Sequence, residues 1–216
     1  MNAPFSSLSL RVIHQFDKLR LGLHRRFLPG LEIEPGASAN FGHARYRLAP
    51  GARLRVCRGA VTDRIPGALY FSLGVGAEVV IGEETWLRTE IAPIHIVAFD
   101  GARIAIGRNV FLNGCHLSAK ASVRIDRGAS VGLGSRVFDA DQHDLDDARP
   151  EQIEPVHIGE YTWVASEVTV LRGVSIGAHS VVGTHSLVTH DIPSHTLAFG
   201  QPARPRGPVG DRSGAR

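Results

Sequence analysis

Every sixth residue from Ile158 to Val188 is aliphatic: Ile158, Val164, Val170, Ile176, Val182 and Val188. If about a quarter of residues are Ile, Leu or Val, six hits in one frame have odds on the order of one in a few thousand. A helix returns a side chain inward every 3.6 residues and an ordinary strand every second residue. Period six therefore calls for a chain that turns once per short straight segment. Three such segments close a triangular coil of about 18 residues. The position after each aliphatic residue is mostly small (Gly159, Ala165, Gly177, Gly183), as corners need. The position four after it is small or β-branched (Thr162, Val168, Val174, Ser180, Ser186, Ile192), as flat pleated faces favour. Stacked coils would pair backbone to backbone, roughly 4.8 Å apart, around one narrow aliphatic core.

A second repeat lies upstream in the phrase Ala-x-aliphatic-x-(Val/Ile), with its alanines at Ala52, Ala77, Ala102 and Ala121. Their separations of 25, 25 and 19 residues read as 18-residue coils with insertions of seven, seven and one, the first two being corner loops. Similar continuations follow: Thr85-Trp86-Leu87, Val110-Phe111-Leu112 and Thr162-Trp163-Val164. Both repeats thus belong to one β-solenoid from about residue 45 to about residue 190. The 33 residues from Ile125 to Ile158 place the largest insertion near 139–157. Long loops on a rigid scaffold tend to carry function. The expected division is a helical capping segment over 1–44, a β-helix domain over 45–192 and a tail over 193–216.

The 216 residues suit one domain with modest extensions, and 24 glycines with few aromatics fit a corner-rich solenoid. Cys57 and Cys115 are too few for a disulfide framework or a thiolate zinc site, which favours a reducing compartment, the cytoplasm by default. The formal charge of +3 is dispersed and no aromatic-basic motif accompanies it, so nucleic acid is not the expected partner. An anionic small ligand explains the balance equally well.

Arg11, Lys18, Arg20, Arg25 and Arg26 interrupt the N-terminal apolar residues, unlike a secretory signal, and no span is long enough to cross a bilayer. Leu8, Val12, Phe16, Leu19, Leu23 and Phe27 recur as on one face of a helix. The simpler expectation is that this stripe packs on the protein itself, capping the first coil, or meets a neighbouring subunit. The alternative is a weak contact of residues 8–28 with an anionic membrane surface.

The insertion opens Phe138-Asp139-Ala140-Asp141-Gln142-His143-Asp144-Leu145-Asp146-Asp147. Carboxylates beside an imidazole can hold one tautomer and raise its basicity, as a general base needs, which makes His143 the catalytic candidate. A solvated surface histidine is the plainer reading. A calcium loop starting at Asp139 and Asp141 lacks the required Gly and terminal Glu.

The stretch from Pro155 to Arg204 resembles the C-terminal half of hexapeptide-repeat acyltransferases, whose fold is a left-handed parallel β-helix. It is most similar to the galactoside, maltose and nodulation-sugar O-acetyltransferase group. Carrying the resemblance are Pro155 to Ser166 (PVHIGEYTWVAS), Leu171 to Gly177 (LRGVSIG), Val181 to Thr189 (VVGTHSLVT), Asp191-Ile192-Pro193 and Gly200 to Arg204 (GQPAR), with looser similarity back to Ile104. The resemblance implies transfer of an acetyl group from acetyl-CoA to a saccharide hydroxyl, with no metal, between subunits of a homotrimer, in polysaccharide synthesis. It implies that His143 is the general base and that the backbone N–H of Ser166 steadies the acyl oxygen. Asn113 and Asp141 are assigned to the acceptor. Trp163, Ala165, Ser166, Gly183, Thr184, His190 and Arg204 are assigned to coenzyme A, His190 standing where lysine is more usual. Coil corners demand small residues in any case, so Ala165, Gly183 and Thr184 do not discriminate by themselves. The irregular first coils and the first 45 residues depart from the galactoside and maltose pattern, so the acceptor does not carry over.

Two other functions fit the same scaffold. A zinc carbonic anhydrase of the γ-class type would draw on His116, His179 and His185 converging across a subunit boundary, since histidines six apart point from successive faces and two on one chain are not expected to share a metal. A non-catalytic assembly solenoid needs neither the histidine loop nor the tail.

Overall fold

The computed structural model describes residues 7–215. Between Leu31 and Pro208 the chain winds through short strands that form three sheets, the faces of a triangular prism. The first and third faces hold seven strands each and the second holds eight. All neighbours pair in parallel except the closing hairpin of Thr196–Gly200 with Ala203–Pro208, which is antiparallel and ends the second face. Pairing starts with Leu31–Ile33 against Arg53–Val56, so strand structure extends upstream of residue 45, and the hairpin extends it past residue 192.

The two repeats of the sequence coincide with this winding. Ile158, Val164, Val170, Ile176, Val182 and Val188 are all fully buried, two per face, along the prism axis. The four alanine phrases stack in one register on the first face, with Leu54, Val79, Ile104 and Val123 in line. The extra seven residues of the early coils are split between two corners. From Thr62 to Phe71 there are nine residues and from Phe71 to Ile81 there are ten, where regular coils take six. Leu112 to Leu117 is one residue short of six, and the chain turns there through Gly114 at φ 47°.

Corner chemistry differs from the expectation in an instructive way. The small residues following the aliphatic positions do not supply left-handed backbone. A Cβ on Gly177 would stand 2.3 Å from the Ser194 nitrogen, and one on Gly159 would stand 2.7 Å from that of Ala178, so these positions are small because coils touch there. Left-handed conformation falls two residues later, on Tyr161, Glu167, His179 and His185, with φ between 55° and 59°. The small or β-branched residues four after each aliphatic turn inward and fill the corners. Their hydroxyls close the polar gap between coils: Thr162 Oγ1 donates to Gly177 O at 3.0 Å and Ser135 Oγ to Ala165 O at 2.7 Å. Left unpaired, each such buried carbonyl would cost about 1–3 kcal/mol.

Helix α1, Ser7–Phe27, lies against the short 3₁₀ turn Ala39–His43. The expected apolar stripe is not its packing face. Asp17 and Leu21 are buried, whereas Val12, Phe16, Leu19, Leu23 and Phe27 are 48–72% exposed; the side chain of Leu8 lies outside the described residues. The physical reason is electrostatic. Asp17 accepts from His43 Nε2 at 2.7 Å and from the Arg64 guanidinium at 2.8 and 3.1 Å, which rotates a charged residue inward and the apolar one outward. Burial alone would raise the Asp17 pKa, but Arg64 and His43 overcome it and hold the carboxyl below its ordinary 3.8. Among the described residues no helix is long and apolar enough to cross a membrane.

Candidate active site

The largest insertion leaves the third face after Phe138 and rejoins the first face at Val156, so it projects from the corner between them. Its root is Asp139, which is fully buried and accepts the backbone N–H groups of Lys120 (2.7 Å) and Ala121 (2.8 Å) of the coil below. Lys120 returns the favour by ion-pairing Glu151 at 2.7 Å, both side chains being about four-fifths covered. Arg172, from the coil above, grips the loop from the other side through Asp141 at 2.7 Å and through Glu154. That guanidinium bond is the main reason the Asp141 carboxyl sits below its ordinary value. Period and motif did not single out these latches, because they depend on charges brought together from three successive coils.

His143 is exposed at the outer part of this loop, and its side chain makes no hydrogen bond among the described residues. The neighbouring acids are occupied elsewhere. Asp141 takes Arg172 and the Gln152 N–H, and Asp144 accepts from the Glu151 N–H at 2.7 Å. The loop is therefore held by its acids and presents the imidazole free.

Other candidate residues gather at the next corner, between the second and third faces. Asn113 is there, its Oδ1 buried and accepting no hydrogen bond among the described residues; Arg88, its register partner on the adjacent strand, has a similarly unpaired Nε. Unpaired buried polar atoms are uncommon and mark places that a ligand can complete. In successive coils the same corner holds Ala165-Ser166 and Gly183-Thr184. The N–H of Ser166 donates to no acceptor among the described residues, nor do those of Leu133 and Thr184 at the equivalent turns. Smallness has a structural cause here: a Cβ on Gly183 would lie 2.8 Å from Cβ of Phe199. Trp163 stands on the outside of the second face, 45% exposed, in line with Trp86 and Phe111, and carries the Arg212 guanidinium 5.5 Å from its ring centroid. His190 and Arg204, far apart in sequence, meet at the end of the prism with Nδ1 and Nη1 3.5 Å apart.

One chain does not bring both groups together. His143 and Asp141 belong to the third corner while Asn113 and Ser166 belong to the second, and a six-residue face between them spans roughly 20 Å. The histidines considered for zinc are also apart: His116 lies on the third face, His179 at the first corner and His185 at the second. Among the described residues no three His, Cys, Asp or Glu side chains stand close enough to hold a metal ion. Burial pushes the Cys115 thiol up to about 12, which removes it as a nucleophile.

No family model matches the chain. A protein of Schizosaccharomyces pombe bearing a provisional acetyltransferase name is 38% identical over 135 residues, which is 60% of this chain and 63% of that one. A provisionally named acetyltransferase of Staphylococcus aureus strain Mu50 is 34% identical over 109 residues, 48% of this chain and 54% of the relative. The crystal structure of NeuO, a polySia-specific acetyltransferase, superposes with a TM-score of 0.60 at 21% identity, covering 87% of this chain and 85% of that one. Both curated relatives carry acetyltransferase names, and the superposed crystal structure is that of an acetyltransferase. The fold of this chain is accordingly the left-handed parallel β-helix, a handedness that the usual preference for right-handed parallel crossovers would not have given. The chain spans less than two thirds of the length of the two curated relatives described.

Proposed function

We propose that this protein transfers an acetyl group from acetyl-CoA to a hydroxyl of a saccharide, at a site completed between copies of the chain in a homotrimer. The observation that carries the reading is the 38% identity, over 60% of the chain, to a relative named for acetyl transfer. The NeuO fold, whose named substrate is a saccharide polymer, supports a sugar acceptor. Envelope polysaccharide synthesis in the cytoplasm suits this chemistry and the two free cysteines.

In this reading His143 removes the acceptor proton as the hydroxyl oxygen attacks the thioester carbonyl. The unpartnered Ser166 N–H donates to the oxyanion that forms, a role that needs only backbone geometry. Collapse of the intermediate breaks the carbon–sulfur bond, and the imidazolium of His143 returns the proton to the departing thiolate. The products are an acetyl ester and free coenzyme A. Asn113 Oδ1 accepts from the acceptor or the acyl donor, gaining the hydrogen bond it lacks. Asp141 binds acceptor only through lone pairs left over from Arg172. Trp163 flanks the pantetheine arm, small Ala165, Gly183 and Thr184 let that arm approach, and the His190–Arg204 pair meets the nucleotide phosphates, Arg204 through its fork. A three-fold arrangement would carry the third corner of one protomer, with its loop, to the second corner of the next.

A thermal-shift series with coenzyme A, followed by a panel of acceptor sugars with thiol release as the signal, tests the reading. At 100 times its dissociation constant coenzyme A adds about 2.7 kcal/mol of stability. Arg204→Ala reduces that gain. No stabilisation by coenzyme A, or stoichiometric zinc in the purified protein, would defeat the proposal.

A further inference from the structure

The outward face of α1 has no role in the acyl-transfer reading, and it is unusual in composition. At 100° per residue, Val12, Phe16, Leu19, Leu23 and Phe27 fall within an arc of about 80°. The packed residues Asp17 and Leu21 lie about 140° round the helix from the centre of that arc. All five apolar side chains are at least 48% exposed, Phe16 and Phe27 reaching 66% and 72%. Isolated exposed apolar residues are ordinary, but five on one continuous stripe are a patch.

Charge says what covers it. Arg20 and Arg26 fall about 20° outside the two edges of the stripe, and Arg11, Lys18 and Arg25 lie further round on the Arg26 side, about 120–160° from its centre. Asp17 is the single acidic residue of Ser7–Phe27, and it is buried and neutralised by Arg64 and His43. The helix therefore presents an apolar stripe flanked by two cations, with three more further round and no free anion, the pattern that lies in the plane of an anionic lipid surface. Apposing this face to its own copy would bring Arg20 and Arg26 of the two helices together with no free acidic partner on the helix to offset them. The Asp17 anchor also fixes which way the stripe points, so the helix is held by its charged side to the solenoid and free on its apolar side.

From this arrangement we infer that α1 docks the protein onto anionic lipid headgroups, with Phe16, Leu19 and Leu23 entering the acyl boundary and Arg20 and Arg26 contacting phosphates. The contact is peripheral and salt-sensitive, since the cationic contribution is screened within a Debye length.

The test is flotation of the full chain with vesicles of phosphatidylcholine alone and of phosphatidylcholine mixed with phosphatidylglycerol, at low and high salt. The wild-type chain floats with the mixed vesicles only, and salt releases it. Arg20→Glu/Arg26→Glu and Phe16→Glu/Leu19→Glu each lower the bound fraction by roughly tenfold or more, with circular dichroism unchanged because all four side chains are exposed. Absence of flotation at low salt would overturn the inference, as would equal binding to neutral vesicles. A fall in oligomeric mass of Phe16→Glu/Leu19→Glu, with vesicles left unbound by the wild type, would assign the face to a second copy instead. None of these readouts depends on acetyl transfer.

Discussion

At the scale of single residues, the loop depends on one carboxylate more than on any apolar contact. Asp139 replaces water for two backbone N–H groups in the coil below, and its own carbonyl accepts the Glu154 N–H at 2.8 Å, so both ends of the insertion meet at this residue. Removing its side chain strands two partly buried donors. Asp139→Ala is therefore expected to cost about 2–4 kcal/mol, near the sum of two orphaned donors, in urea unfolding followed by circular dichroism. A cost below about 0.5 kcal/mol would mean that the loop is rooted elsewhere. Asp139 reads in the sequence as one more acid in an acidic stretch. What distinguishes it is burial, and burial of a polar residue is invisible to a periodicity argument until the partner strand is known.

At the scale of elements, the faces and corners were legible to different degrees. Period six located the strands of the later coils, because an inward aliphatic recurs wherever the chain crosses the axis. The alanine phrase located the strands of the first face for the same reason. The corners were harder: Gly159 and Gly177 look like turn residues, yet their smallness answers to the next coil and not to their own φ. Helix α1 was legible as a helix but its orientation was not, since counting apolar residues cannot weigh an Asp–His–Arg cluster formed across 47 residues of sequence. Ser135 is the clearest corner to test. Its Oγ donates to Ala165 O and accepts from the Val168 N–H at 3.1 Å, tying one coil to the next beside Ser166. Ser135→Ala should lower stability by about 1–3 kcal/mol, read as a shift in the urea midpoint with an unchanged slope. An unchanged midpoint would mean that water replaces both bonds.

At the scale of the whole molecule, a prism with three corners separates groups that the proposed chemistry must unite. The loop with His143 projects from one corner while Asn113 and the free Ser166 N–H occupy another, so the site proposed above would be complete only between neighbouring copies, as in the proposed homotrimer. The sequence resemblance supplied the residues, and the winding explains why they need not be neighbours in one chain. Coil-by-coil stacking also keeps the coenzyme A side of the proposed site independent of the loop, because Ala165 and Gly183 directly follow strands, and Arg204 lies on one, that the insertion does not build. That independence makes one comparison decisive: turnover and coenzyme A affinity measured side by side in wild-type protein and His143→Ala. Turnover should fall by about 10²-fold or more while coenzyme A binds as before, whereas a variant that acetylates at the wild-type rate would contradict the proposed chemistry of the loop.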